Sequence, residues 1–131
     1  MPAAVQLPYS LVRRSPVEDP ATTAALQPSG ASIVASATLA AGALTGKYAS
    51  ATANGRIEGE RSDPKHRPAL AAAQELVALG AQLGVPPAAL AIAFALQHPN
   101  VASVLVGATT PAQIEENVKA VGVTSTQLRS L

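Results

Sequence analysis

Residues 103–117, Ser-Val-Leu-Val-Gly-Ala-Thr-Thr-Pro-Ala-Gln-Ile-Glu-Glu-Asn, read as a strand that turns at Gly107 into a capped helix. Units of this kind hold a chain to a parallel α/β sheet. The run Val101 to Val106 is short, β-branched and bounded by Pro99-Asn100 and Gly107, which suits a strand covered on both faces. Thr110 is placed as the N-cap, Pro111 as the first helical residue and Gln113 as the third, so that Thr-Pro-Ala-Gln makes a capping box. Unpaired backbone N–H groups and the positive end of the helix dipole then point at any anion above Gly107. The alternative for this segment alone is an ordinary surface helix with a good cap.

The rest of the chain continues the alternation. Val5-Gln6-Leu7, before the Pro8-Tyr9 break, reads as a strand, and Ile33-Val34-Ala35 as the core of a second. Between them Pro16, Pro20 and Pro28 limit any helix to about 21–27, with Gly30 ending it. A Gly-containing segment follows over 36–48, then a polar stretch over 49–68 rich in Gly, Ser, Asp and Pro; long loops in compact α/β units are usually functional or disordered. Leu70, Ala73, Leu76, Val77 and Leu83 share one face of a helix over 69–83 that Gly84 stops. A helix over 87–97 is apolar nearly all round and is expected to be buried. The capped helix runs from Pro111 to about Val121, and Thr124 is placed to cap a final turn.

Composition removes several function classes. The 131 residues suffice for one domain with a core, and 48% hydrophobic against 13% charged residues excludes a typical disordered chain. A net charge of +1 argues against nucleic-acid binding, since the one basic cluster, Lys65-His66-Arg67, lies between prolines with no aromatic beside it. With no cysteine, disulfides, thiolate chemistry and Cys-ligated metals are absent. The N-terminus lacks the pattern of a signal peptide, and the longest apolar stretch, 31–44, is shorter than the ~20 residues of a membrane span. No membrane span and a cytoplasmic location are therefore expected.

Three stretches, Leu-Ala-Ala-Gly-Ala-Leu-Thr-Gly-Lys-Tyr at 39–48, Pro-Ala-Ala-Leu-Ala-Ile-Ala-Phe-Ala-Leu at 87–96 and Val-Leu-Val-Gly-Ala-Thr-Thr-Pro-Ala-Gln-Ile-Glu-Glu-Asn at 104–117, together resemble the C-terminal half of an aldo-keto reductase. Gln-Leu-Pro-Tyr-Ser-Leu-Val-Arg-Arg at 6–14 fits the same family upstream, in its order. The resemblance is strongest to the branch that includes the potassium-channel β subunits and bacterial relatives. It implies an α/β fold that is part of a (β/α)8 TIM barrel, with strands six, seven and eight at about 4–7, 32–36 and 101–106, and NADP(H) lying across the carboxyl ends of the strands.

The resemblance also implies roles. Gln6 would hydrogen-bond the nicotinamide carboxamide, and Ser36 falls where the family stacks an aromatic ring on the nicotinamide. Leu39, Ala40 and Gly42 would bring backbone to the pyrophosphate, and Lys47 would supply a cation for the phosphates. Arg56 lies near a family arginine at the adenosine end, with Arg61 as the fallback if the loop is shifted. Gly107, Thr109, Gln113, Glu116 and Asn117 would cradle the adenosine and its 2′-phosphate. Residue by residue the plainer alternatives stand: solvated loop cations for Lys47 and Arg56, helix-surface residues for Glu116 and Asn117, turn glycines for Gly42 and Gly46, and a strand tie for Gln6.

Two departures from the family stand out. Ser36 replaces the stacking ring, with Ala37-Thr38 in place of the Ser-Pro that follows it, and Phe94 stands where a Trp is common. A (β/α)8 barrel takes about 250 residues, so residues 1–131 are expected to be the C-terminal part of the domain, with the N-terminal half absent. The family's Asp, Tyr, Lys and His tetrad comes from upstream strands, and Tyr9, Tyr48, Lys47, His66, His98 and Asp63 do not reproduce it. Expected, then, is a chain that supplies cofactor contacts and no catalytic residue, and that meets a small-molecule carbonyl substrate only with the other half. Three readings follow: half of a split enzyme completed by a complementary N-terminal chain, a non-catalytic NADP-responsive or interaction module, or an inactive truncated product. Two unpaired sheet edges make self-association a further expectation.

Overall fold

The structure, a computed structural model, describes residues 2–50 and 52–131. Met1, at the expected leaderless N-terminus, and Ala51, within the expected loop over 49–68, lie outside the described residues. The elements run β1 (Ala4–Pro8), α1 (Ser15–Glu18), α2 (Pro20–Leu26), β2 (Ser32–Ser36), α3 (Arg67–Leu83), α4 (Pro87–Leu96), β3 (Val101–Val104) and α5 (Pro111–Val118), with short 3₁₀ turns between β2 and α3 and after α5. Local chemistry accounts for most boundaries. The Asp19 carboxylate accepts from the Ala21 N–H to open α2. Gly84, in the left-handed region at φ 67°, stops α3. Thr124 and Gln127 form a reciprocal cap at the last turn, the Thr124 N–H donating to Gln127 Oε1 at 2.9 Å and the Gln127 N–H to Thr124 Oγ1 at 3.3 Å.

The three strands form one parallel sheet in the order β1-β2-β3. Val5 pairs with Ile33 and Leu7 with Ala35 on a face packed under Val17 of α1, Leu26 of α2 and Ala95 and Phe94 of α4. Gln6 and Ser103, both beside Val34 in the register, look out from the opposite face and are exposed. Helix α4 lies between this cluster and a larger one built from Leu44, Tyr48, Ile57, Leu76 and the segment 120–128. That position is why Ala88–Ala93 and Ala95 are all buried, as the continuous apolar pattern anticipates. Among the described residues no single helix is long and apolar enough to cross a membrane; Pro64–Leu83 and Pro87–Leu96 meet at a bend of 100°.

Three expectations are corrected. Strand β3 ends at Val104 rather than 106, and it is not covered on both faces: Leu105 and Val106 are 47% and 44% exposed. The reason is its place at the sheet edge, where a bulge opposite Ile33–Val34 shifts the register and leaves Ala102 exposed. On α3 the inner face is Ala69, Ala73, Leu76 and Gly80, whereas Val77 is 44% exposed. A helix turn over Ser15–Glu18 also precedes α2 where the prolines argue for a break, because Pro16 occupies its first turn, where no N–H is required.

Tyr9 is buried on the packed face and its hydroxyl donates to Glu18 Oε1 at 2.7 Å. Burial, and then the Glu18 carboxylate, push its pKa well above the usual tyrosine value. A group that holds its proton more tightly when folded adds stability below the unfolded pKa, near 10, and loses it as pH rises beyond. Tyr9→Phe is therefore expected to lower the melting temperature at pH 7.5 through the lost hydrogen bond, about 1–2 kcal/mol. That deficit should shrink above pH 10, and melts showing the same deficit at both pH values would refute the account.

Candidate functional site

The candidate residues converge on one end of the sheet. Parallel strands leave their carboxyl ends, Pro8, Ser36 and Val104, side by side, and the loops that follow β2 and β3 carry Leu39, Ala40, Gly42, Lys47, Arg56 and Gly107. Ser36 closes β2, its carbonyl accepting from the Tyr9 N–H at 3.0 Å. Gln6 lies two residues before the end of β1 and is exposed, so its carboxamide is open to a ligand on the uncovered face.

Directly after β2 the backbone is unusual. Ala37, Ala40 and Ala41 have φ of 54°, 49° and 57°, and Gly42 follows at 88°. Left-handed conformations cost an alanine about 1–2 kcal/mol each and persist where surrounding structure over-determines them, commonly at ligand-binding loops. Thr38, within this segment, is 1% exposed and its Oγ1 has no hydrogen-bond partner among the described residues.

Glycine at 42 lets a cation lie on the main chain. A Cβ there would meet Lys47 Cε at 3.2 Å and Nζ at 3.4 Å, and one at Gly55 would overlap the same ammonium and the Tyr48 hydroxyl. Gly42, Lys47 and Gly55 thus form one cluster, floored by Tyr48, whose ring lies 5.1 Å from Lys47 Nζ and whose hydroxyl accepts from the Ile57 N–H at 3.2 Å. Lys47 makes no ion pair among the described residues. Gly55 is a site component that the sequence reading passed over, although Asn54-Gly55 is a turn signal.

The next residue links the two halves of the site. A Cβ on Gly107 would meet one neighbour within 4 Å, the Arg56 Nη2 at 4.0 Å. The guanidinium of Arg56 therefore stands beside the turn between β3 and α5. Arg61 is committed elsewhere: its guanidinium donates to the carbonyls of Ser50, at 2.7 Å, and Ala53, and lies 5.1 Å from the Tyr48 ring. Arg61 holds the loop together, and Arg56 is the arginine at the turn.

At the start of α5 the expected cap is present, the Gln113 N–H donating to Thr110 Oγ1 at 3.3 Å. Its other half differs from a capping box. Gln113 Oε1 accepts from the N–H of Thr109 at 2.7 Å and from its hydroxyl at 3.1 Å, so the loop residue before the cap is the one tied down. Thr109 and Gln113, two of the side chains expected at the adenosine end, therefore bond each other. Asn117 faces inward, 7% exposed, and makes no side-chain hydrogen bond among the described residues; Glu116 is exposed.

The other titratable groups lie apart. Glu60, Asp63, Lys65 and His66 form a surface network in which Lys65 Nζ is 2.7 Å from Glu60 and 3.5 Å from Asp63; the Lys65 ammonium holds the Glu60 carboxyl below its usual pKa, and the Lys65 backbone N–H, donating to Asp63 Oδ1 at 2.9 Å, does the same for Asp63. His98 Nδ1 accepts from the Asn100 N–H at 3.2 Å. Tyr9 points to the packed face, opposite Gln6.

A family model described as the aldo/keto reductase family matches residues 1–129. The chain is 34% identical over 91 residues to a Schizosaccharomyces pombe protein described as a voltage-gated potassium channel subunit beta, a match covering 63% of this chain and 26% of that protein. It is 40% identical over 92 residues to a protein of the same description from Oryza sativa subsp. japonica, covering 65% and 28%. A third, from Arabidopsis thaliana, is 57% identical over 42 residues, covering 32% and 13%. Among solved structures, a glycerol dehydrogenase of Gluconobacter oxydans superposes with a TM-score of 0.71 at 26% identity, covering 98% of this chain and 40% of that one. The chain spans less than a third of the length of these curated relatives.

Proposed function

The chain belongs to the aldo/keto reductase family, and from that membership we propose that it forms the cofactor-holding part of an NADP(H)-dependent carbonyl reductase. In this reading β1, β2 and β3 are strands six, seven and eight of a (β/α)8 barrel, and residues 1–131 are the C-terminal part of its domain. The observation that carries it is the pairing of Arg56 with the Gly107 turn, next along the chain to the Gly42–Lys47–Gly55 cluster. Two cations from one loop thereby line a path from the strained turn after β2 to the start of α5.

The residues suit a dinucleotide phosphate. Lys47 and Arg56 supply the positive charge that its phosphates require, Gly42 lets the Lys47 ammonium lie close to the main chain, Gly107 has only Arg56 nearby, and Leu39 and Ala40 bring main chain to the pyrophosphate at the strained turn after β2. Gln6 can offer donor and acceptor to a carboxamide on the uncovered face. Thr109, Gln113, Glu116 and Asn117 border the adenosine end, with Gln113 acting through the order that it imposes on Thr109. Ser36 leaves the nicotinamide face without a stacking ring, which predicts a looser grip there. Bound NADPH supplies the hydride. The carbonyl substrate and the proton donor belong to a complementary half, and no residue of this chain acts as the catalytic acid.

Nuclear magnetic resonance titration of the chain with millimolar NADPH tests this. Shifts are expected at 36–47, 55–56 and 107–113, with weak affinity. Arg56→Ala should weaken NADPH about tenfold and NADH little, since a charge-assisted contact to a phosphate is worth about 1.5 kcal/mol. Shifts elsewhere, or equal losses for both cofactors, would sink the assignment. Carbonyl reduction by the chain alone should be absent; robust turnover would overturn the placement of the catalytic groups outside it. The names of the curated relatives favour a second reading, a non-catalytic module that responds to NADP(H), which would bind cofactor in the same titration and stay inactive when supplied with a family N-terminal half.

A further inference from the structure

Helix α5 and the turn that continues it carry a row of exposed aliphatic side chains: Ile114, Val118 and Val121 are 55%, 59% and 81% exposed. Spacings of four and three residues place them on one stripe, beside and distinct from the inward face of Asn117 and Ala120. Such a stripe in water calls for a cover. Along one flank of it stand Glu115 and Lys119, both exposed and neither in an ion pair among the described residues.

This pattern is complementary to itself when reversed. In an antiparallel pair of α5 helices related by a two-fold axis near Val118, Ile114 meets Val121 of the second copy and Val118 meets its equivalent. Antiparallel helices also turn the same flank toward each other, so Glu115 of each copy faces Lys119 of the other. We propose that the α5 stripe is the interface of an isologous dimer of this chain, in which Ile114, Val118 and Val121 form the apolar seam and two Glu115–Lys119 pairs set the antiparallel register. The proposal does not rest on cofactor binding.

Sedimentation equilibrium of the full chain between about 10 and 500 µM, the range appropriate to a small interface, should show a mass rising toward twice that of one chain. Glu115→Lys alone brings four lysines together in a homodimer, and Lys119→Glu alone four glutamates. Each variant should therefore be monomeric across that range while retaining its circular dichroism spectrum. An equimolar mixture of the two should dimerise again, because every pair is then opposite in charge. Val118→Glu should abolish association without rescue. A wild-type chain that stays monomeric throughout overturns the proposal and leaves the stripe to a different chain, and a dimer indifferent to both charge reversals overturns it by placing the interface elsewhere. Single variants that dissociate while their mixture fails to reassociate would equally refute the antiparallel register.

Discussion

Leu76→Ala should lower the unfolding free energy by about 3 kcal/mol, while Val77→Ala, one residue on, should lower it by about 1 kcal/mol or less. Leu76 is fully buried in the larger cluster, among the side chains of α4 and the 3₁₀ segment around Leu44. Truncation there removes buried methyl groups and leaves a cavity that neighbouring backbone cannot collapse to fill. Val77 is 44% exposed and touches the chain near Gly46, where an added Cβ would lie 2.6 Å from its Cγ2. Urea titrations of both variants check the contrast. Equal losses would mean that α3 is rotated from the orientation described.

Gly80→Ala is expected to destabilise by about 1–3 kcal/mol, against the trend of helix propensity. In the interior of a helix alanine is favoured over glycine by about 1 kcal/mol. Here, however, a Cβ would overlap the Val85 carbonyl oxygen and approach Leu90 Cδ1 and Pro87 Cδ, both at 3.7 Å. The carbonyl cannot move freely, because the Val85 N–H donates to the Gly80 carbonyl at 3.0 Å, Gly84 is left-handed, and Pro86 and Pro87 constrain the start of α4. The corner between α3 and α4 must open, and overpacking of this kind costs about 1–3 kcal/mol beyond the propensity gain it cancels. Gly84→Ala provides the control at the same corner: a Cβ there meets nothing within 4 Å, so its penalty is that of a left-handed alanine alone, about 1 kcal/mol. A Gly80→Ala chain as stable as the parent would show that the corner is looser than its hydrogen bonds imply.

Much of the local structure was legible in the residues. β2 takes in the apolar core Ile33-Val34-Ala35 with one residue on either side, Gly84 stops α3, and Thr110 caps α5 through Gln113. Each of these depends on φ preferences and side-chain reach over a few residues, which sequence states directly. The misjudged points share a different physics. The end of β3 depends on which strands flank it, and the exposure of Val77 on how α3 is rotated against α4 and the loop below. The second half of the α5 cap depends on how the chain enters from Gly107, which turns the Gln113 carboxamide to Thr109. The resemblance points to Arg56 as the arginine of the site with Arg61 as the fallback, because a loop without periodicity does not fix which residue reaches the turn; the fold sets Arg56 beside Gly107 and binds Arg61 to the loop carbonyls.

By itself, then, the sequence determined the three strands and the helices other than α1 in their order, the family through four ordered motifs, and the candidates for a cofactor site from Gln6 to Asn117. Only the tertiary structure decided which of them meet. It put Arg56 beside Gly107 and Lys47 between Gly42 and Gly55, gave Arg61 to the loop carbonyls, and turned Tyr9 away from the face that Gln6 shares. The physical reason is one of range. Capping, turn preference and hydrophobic period act within a few residues, whereas a side chain on a long polar loop reaches a distant turn only where buried anchors such as Tyr48 and Ile57 hold that loop against the core.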